Sequence, residues 1–133
     1  MNVSLQNPRT IFIEITTECN FKCKYCHMWM TKEKEGSLST EEKLKIIEEF
    51  QLLNPSGEVV LTGGETMLKY DEFFLLSKRC LDLKLTCSAN TNASFINETN
   101  FRRILTDGPK YLVISWDSDI EKIHDYSRGI SGS

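Results

Sequence analysis

The chain has 133 residues, 40% of them hydrophobic, with 16 basic and 19 acidic side chains and a formal net charge of −3. That length allows one domain around one core, and without a basic surplus a nucleic-acid partner held by phosphate neutralisation is excluded. No apolar run exceeds about five residues, far short of the ~20 that cross a bilayer, and the start, MNVSLQNPRT, lacks the basic region and long apolar stretch of a signal peptide.

In chain order, TIFIEIT (10 to 16) is β-branched and aromatic and predicts a strand. The run from Ser39 to Glu42, STEE, is a capping box that starts a helix, with Leu44, Ile47 and Phe50 on its inner face and NPSG (54 to 57) ending it. EVVLT (58 to 62) is the second strand. Asp71 is expected to cap a second helix that buries Phe73, Leu76 and Cys80. LKLTCSA (83 to 89) is the third strand. Asn97 is expected to cap a third helix with Phe101, Ile104 and Leu105 inward, ended by DGP (107 to 109). YLVIS (111 to 115) is the fourth strand, and a last helix after Asp117 is expected to bury Ile120 and Ile123.

Strands alternating with helices predict an α/β fold of parallel β/α units with right-handed crossovers. Near-continuous apolar strands fit a sheet covered by helices on at least one face. Folds of this kind place their chemistry at the carboxyl ends of the strands.

Four motifs fall at those ends. After the first strand comes CNFKCKYCHM (19 to 28), which holds three of the five cysteines. Thiolates so spaced can wrap one small metal centre. A four-iron cube normally takes four thiolates, so three protein ligands would leave one iron open to an exogenous ligand. Zinc on the three cysteines and His27 is the competing reading, against which neighbouring side chains in a loop seldom converge on one tetrahedral ion. After the second strand come Gly63, Gly64 and Glu65, where glycines let the backbone turn sharply and a carboxylate can accept hydrogen bonds from an ammonium group. SANTNAS (88 to 94) follows the third strand and ISWDSD (114 to 119) the fourth. Cys80 and Cys87 form no further cluster motif and are expected to behave as small buried hydrophobes. The odd cysteine number and the bunching fit a reducing, cytoplasmic setting.

The spacing C-x3-C-x2-C, with Tyr25 just before the last cysteine, resembles the signature of the radical SAM enzymes. The resemblance implies that Cys19, Cys23 and Cys26 ligate a [4Fe-4S] cluster whose open iron chelates S-adenosylmethionine, and that Tyr25 packs near the adenine. It implies that Gly63, Gly64 and Glu65 match the family's GGE beside the methionyl amino group, with Thr66 in place of the usual proline. Thr91-Asn92-Ala93 is similar to the family's Thr-Asn-Gly. Ser115 and Asp117 are similar to its Ser-x-Asp near the ribose, and HDYSRG (124 to 129) to its H-D-x-x-R-G, in which His124 and Arg128 are expected to be structural or surface residues.

The resemblance further implies an enzyme that cleaves S-adenosylmethionine reductively to a 5′-deoxyadenosyl radical, which abstracts hydrogen from an unknown substrate, a peptide being one candidate. An electron donor such as flavodoxin or ferredoxin would serve it. The family's open barrel has six β/α units, and this sequence carries about four. The expectation is therefore one domain, residues 1 to 133, that is the amino-terminal part of a radical SAM core, ending after the fourth unit and leaving YLVIS as an uncovered edge. Two other readings stand beside it: a non-catalytic zinc or iron–sulfur module with a docking role, and an interaction protein that uses the scaffold alone.

Overall fold

β-Branched side chains pack well on a pleated surface, and the runs rich in them form β1 (Thr10–Thr16), β2 (Glu58–Gly63), β3 (Thr86–Thr91) and β4 (Tyr111–Ile114). Between and after them lie α1 (Thr40–Leu53), α2 (Tyr70–Asp82), α3 (Glu98–Asp107) and α4 (Glu121–Arg128). The structure, a computed structural model, describes residues 7–31 and 36–133. Residues 1–6, on which part of the targeting expectation rests, lie outside the described residues. Among the described residues no helix is long and apolar enough to cross a membrane.

All pairings are parallel and the strand order is β1-β2-β3-β4. This order decides the architecture. Strands that follow one another without reversal, joined by crossovers of one hand, carry every helix on the same face, whereas a doubly wound sheet reverses and is covered on both. One row of the register, Ile13–Leu61–Ala89–Leu112, belongs to the helix side, and its first three members join Ile47, Phe50, Phe73, Leu76 and Ile104 in the core. The alternate row, Phe12–Val60–Ser88–Tyr111, faces away, and Phe12 and Tyr111 are exposed there. A one-sided parallel sheet of this kind is a stretch of β/α-barrel wall, in agreement with the expected four units.

The local signals for α1 and α3 hold. Ser39 and Glu42 form the reciprocal capping box, and Asn97 makes the same arrangement with Asn100. The α1 and α2 faces meet across Lys43, a buried ammonium 2.9 Å from both the Ile15 carbonyl and Glu72.

Elsewhere the structure corrects the expectations. β3 starts at Thr86 rather than residue 83, because Lys84 takes a left-handed turn at φ 60°, and it continues to Thr91. Asp71 does not cap α2. A 3-10 turn, Thr66–Lys69, runs straight into that helix, so Asp71 falls in its first turn, where a carboxylate still favours the helix dipole.

On α3 the buried pair is Asn100 and Ile104. Phe101 and Leu105 are exposed, because they sit one residue further round, beside Leu81 and Leu112 on the open β4 side. On α4 the expected Ile120 and Ile123 are exposed, and His124 and Arg128 are buried instead. That helix covers the polar cysteine loop rather than the apolar core, so its polar stripe turns inward.

Candidate active site at the carboxyl ends of the strands

The cysteine loop leaves β1 at Thr16 and is fastened from several directions. The Cys23 carbonyl accepts the Cys26 N–H at 3.2 Å and the Trp29 indole N–H at 3.3 Å. The Phe21 N–H donates to Cys19 Sγ at 3.4 Å. Asn20 bridges to the loop after β3, donating to Ser94 and accepting from Asn92 Nδ2 at 2.9 Å. Cys23 is buried, while Cys19 and Cys26 are half-buried.

Burial pushes the Cys19 thiol up, only partly offset by the Phe21 N–H, and the nearby Glu65 adds to the rise. Bound metal reverses this tendency, since a coordinating thiol is deprotonated. Among the described residues no three His, Cys, Asp or Glu side chains approach closely enough to hold a single ion. A cubic cluster asks for a different arrangement, each thiolate bonding its own iron around a cavity.

The second motif does something the sequence did not show. Gly63 has φ 136°, and a Cβ there would lie 2.2 Å from the Thr16 carbonyl oxygen. A Cβ on Gly64 would lie 2.0 Å from the carbonyl oxygen of Glu18. The glycines thus let the end of β2 touch the backbone that opens the cysteine loop, sealed by Gly64 N–H to the Thr16 carbonyl at 2.7 Å and Glu65 N–H to the Glu18 carbonyl at 2.8 Å.

Glu65 itself is fully buried. Its carboxylate accepts from the Met67 N–H at 3.0 Å, the Thr91 hydroxyl at 2.8 Å and the Asn92 N–H at 2.7 Å. The resemblance places an ammonium group of the cofactor near it; in the structure its side chain holds three protein donors, with a single one on Oε2 among the described residues, and the backbone of Gly63 and Gly64 lines the cavity. Thr66, in the usual proline's place, donates to the Asn90 carbonyl at 2.9 Å.

At the fourth strand, Ser115 lines the cavity, its N–H held by the Thr91 carbonyl at 3.0 Å. Asp117, expected near the ribose, accepts from Tyr25 Oη at 3.0 Å, Ser127 Oγ at 2.7 Å and Arg128 Nη2 at 2.7 Å. The His124 imidazole accepts the Asp117 N–H at 3.2 Å and stacks on Trp116. Desolvation pushes the Asp117 carboxyl up, but the Ser127 and Tyr25 hydrogen bonds and the Arg128 charge outweigh it and hold the group below its ordinary value of 3.8. Tyr25 is pushed up to about 12 by desolvation and by its bond to Asp117.

A depressed folded value means stability present above the unfolded value and lost as pH falls through the folded one. Wild type should therefore exceed Asp117→Asn in thermal stability at neutral pH, and the gap should close as the pH drops below about 4. A constant gap down to about pH 2 in melts of the metal-free protein would show that Asp117 contributes by shape alone.

These segments enclose one cavity of about 230 Å³. Of the expected residues, Cys19, Cys23, Cys26, Tyr25, Gly63, Gly64, Asn92 and Ser115 line it; Glu65 and Asp117 stand behind it. Sequence reading missed Phe21, Thr62 and Asn90, which also line it, as do Thr91 and Arg128, named in its motifs without a cofactor role. Alternation along β2 and β3 could have found Thr62 and Asn90, since it puts both on the uncovered face, where they share a 3.4 Å hydrogen bond. The donor set fits an iron–sulfur cluster: three thiols on one wall, and a buried Arg128 whose Nε has no hydrogen-bond partner among the described residues.

The model of the radical SAM superfamily matches residues 13–132. The chain belongs to the radical SAM superfamily. That superfamily uses a [4Fe-4S] cluster and S-adenosylmethionine, and its members similar to this chain are enzymes. The AdoMet-dependent heme synthase of Oleidesulfovibrio alaskensis is 32% identical over 127 residues, covering 94% of this chain and 32% of the relative. Among solved structures, Streptococcus suis SuiB bound to its precursor peptide SuiA superposes with a TM-score of 0.76 at 21% identity, covering 96% of this chain and 28% of SuiB. AnSMEcpe with bound AdoMet gives 0.73 at 22% identity, covering 93% and 37%. The radical SAM chain described here spans about a third of the length of the curated relatives it matches.

Proposed function

We propose that this chain is the cofactor-holding part of a radical SAM enzyme that cleaves S-adenosylmethionine reductively and removes hydrogen from a substrate. One observation carries the reading: the loops after all four strands, with the three thiols among them, line a single cavity. The chemistry supplied by the bound cofactors is one-electron cleavage of a carbon–sulfur bond followed by hydrogen abstraction. The chain's own residues bind and orient. Cys19, Cys23 and Cys26 ligate iron. The backbone at Gly63 and Gly64 and the side chains of Asn92 and Ser115 offer polar groups to the amino acid and ribose parts of the cofactor, and the Tyr25 ring packs against the adenine.

The cavity is smaller than the ~300–1,000 Å³ of a complete small-molecule pocket. We propose that further strands continue the wall past β4, whose Tyr111, Val113 and Ile114 are exposed. The names of similar proteins and solved structures offer several substrate classes, among them a heme precursor, GTP and a peptide. The electron is assigned to an external donor of flavodoxin or ferredoxin type, as the radical SAM resemblance implies; Cys80 and Cys87 lie buried in the helix-side core. A reducing, cytoplasmic setting, consistent with five free thiols, belongs to the same reading.

Anaerobic reconstitution tests the proposal. About four irons and four sulfides per chain, together with calorimetric binding of S-adenosylmethionine, are expected. One zinc per chain and no binding of that cofactor would move the protein to the class of structural metal modules.

A further inference from the structure

Three consecutive residues at the end of α4 grip three consecutive residues of the cysteine loop. The Ser127 carbonyl accepts the Lys24 N–H at 2.9 Å. Arg128 Nη1 lies 3.8 Å from Cys23 Sγ. Gly129, left-handed at φ 69°, stands so close to Lys22 that a Cβ would lie 2.2 Å from the Lys22 carbonyl oxygen. Helix end and loop are therefore in register, and Arg128 has little room to swing. Its residue exposure is 6%, unusual for a guanidinium unless its charge is met from several sides. Asp117 meets one side, through Nη2 at 2.7 Å. The Tyr25 ring lies below, 5.8 Å from the guanidinium carbon. The remaining edge faces the cavity and the sulfur of Cys23.

Resting on the radical SAM reading, we infer that Arg128 is a positioning residue that raises the reduction potential of the cluster held at Cys23. Reduction adds one negative charge to a centre already carrying thiolates. A fixed cation at one of those sulfurs stabilises the reduced form more than the oxidised one, and hydrogen bonds and charge at the sulfurs are known levers on such potentials. Arginine suits the task because it stays protonated throughout the working pH range. Asp117 takes up part of the Arg128 charge, so the two residues must act on the cluster with opposite signs.

The opposite signs make the test. Potentiometric titration, read by electron paramagnetic resonance on anaerobically reconstituted protein, compares wild type with Arg128→Met, Arg128→Lys and Asp117→Asn. Arg128→Met should be about tenfold harder to reduce, a shift of 59 mV to lower potential for one electron. Arg128→Lys should recover most of that shift, and Asp117→Asn should move the potential upward. A merely structural role would move Arg128→Met and Asp117→Asn the same way or not at all. Potentials unchanged, or displaced in a common direction, in clusters that assemble normally would overturn the inference and leave the proposed function standing. Should Arg128→Met fail to retain a cluster, Arg128→Lys and Asp117→Asn still decide: a downward or absent shift in Asp117→Asn overturns it. A wild-type protein that assembles no cluster overturns both.

Discussion

Replacing Cys23 with alanine leaves the reconstituted protein without most of its iron while the fold persists. The two halves of that expectation have separate causes. The backbone at Cys23 carries the local structure, its carbonyl receiving Cys26 and Trp29, and alanine keeps every one of those bonds. The sulfur is lost, and with it the 3.8 Å contact from Arg128, so the metal-free variant should melt within about 2 kcal/mol of wild type. Two remaining thiolates cannot hold a cube against hydrolysis as three can, and the iron content should fall well below about four per chain. Cys19→Ala and Cys26→Ala should behave alike. Cys80→Ala is the contrasting case: it removes a buried sulfur from the core and costs about 1–2 kcal/mol, yet keeps full iron. Iron and sulfide analysis beside thermal melts reads both quantities, and a Cys23→Ala protein with a full complement of iron and sulfide would refute ligation by this loop.

The second large effect lies at Glu65, and it is one of stability. Its carboxylate is the common acceptor for a turn amide, a strand hydroxyl and a loop amide, with no exposure to water. Glu65→Ala leaves all three donors dry and unpaired. At about 1–3 kcal/mol for each such group, incomplete relaxation included, we expect a loss of about 3–5 kcal/mol in urea melts. Glu65→Gln keeps the shape and one good acceptor but points an amide N–H at a donor, and should cost about 1–3 kcal/mol. An alanine variant within about 1 kcal/mol of wild type would mean that water or a rearranged loop satisfies these groups. The same substitution should loosen cofactor binding, because Asn92, whose N–H the Glu65 carboxylate holds, lines the cavity.

Much of the site was legible because its signals are local. Three sulfurs within eight residues must be near one another whatever the fold, and Gly63-Gly64 after an apolar run marks a turn wherever it occurs. The capping boxes at Ser39 and Asn97 are likewise contained in four residues each. The protein partners of the two carboxylates were not legible. Glu65 and Asp117 look like ligand groups in the chain, since nothing beside them in sequence competes for their oxygens. In the fold, Thr91 and Asn92 reach Glu65 across 26 and 27 residues, and Tyr25 reaches Asp117 across 92.

Helix α4 shows the same boundary most sharply. Its apolar pattern pointed Ile120 and Ile123 inward, on the premise that what lies beneath a helix is a hydrocarbon core. Beneath this one lies a loop of carbonyls and thiols, which His124 and Arg128 suit better.

By itself, then, the amino-acid order determined the chemistry on offer and the alternation of elements, because ligand spacing, caps and strand patterns are short-range properties of a chain. Only the tertiary structure decided which protein donors meet the two carboxylates and which cation stands at Cys23. Those outcomes depend on hydrogen bonds and burial between segments up to 105 residues apart, and no local pattern encodes the partner a buried polar group will find.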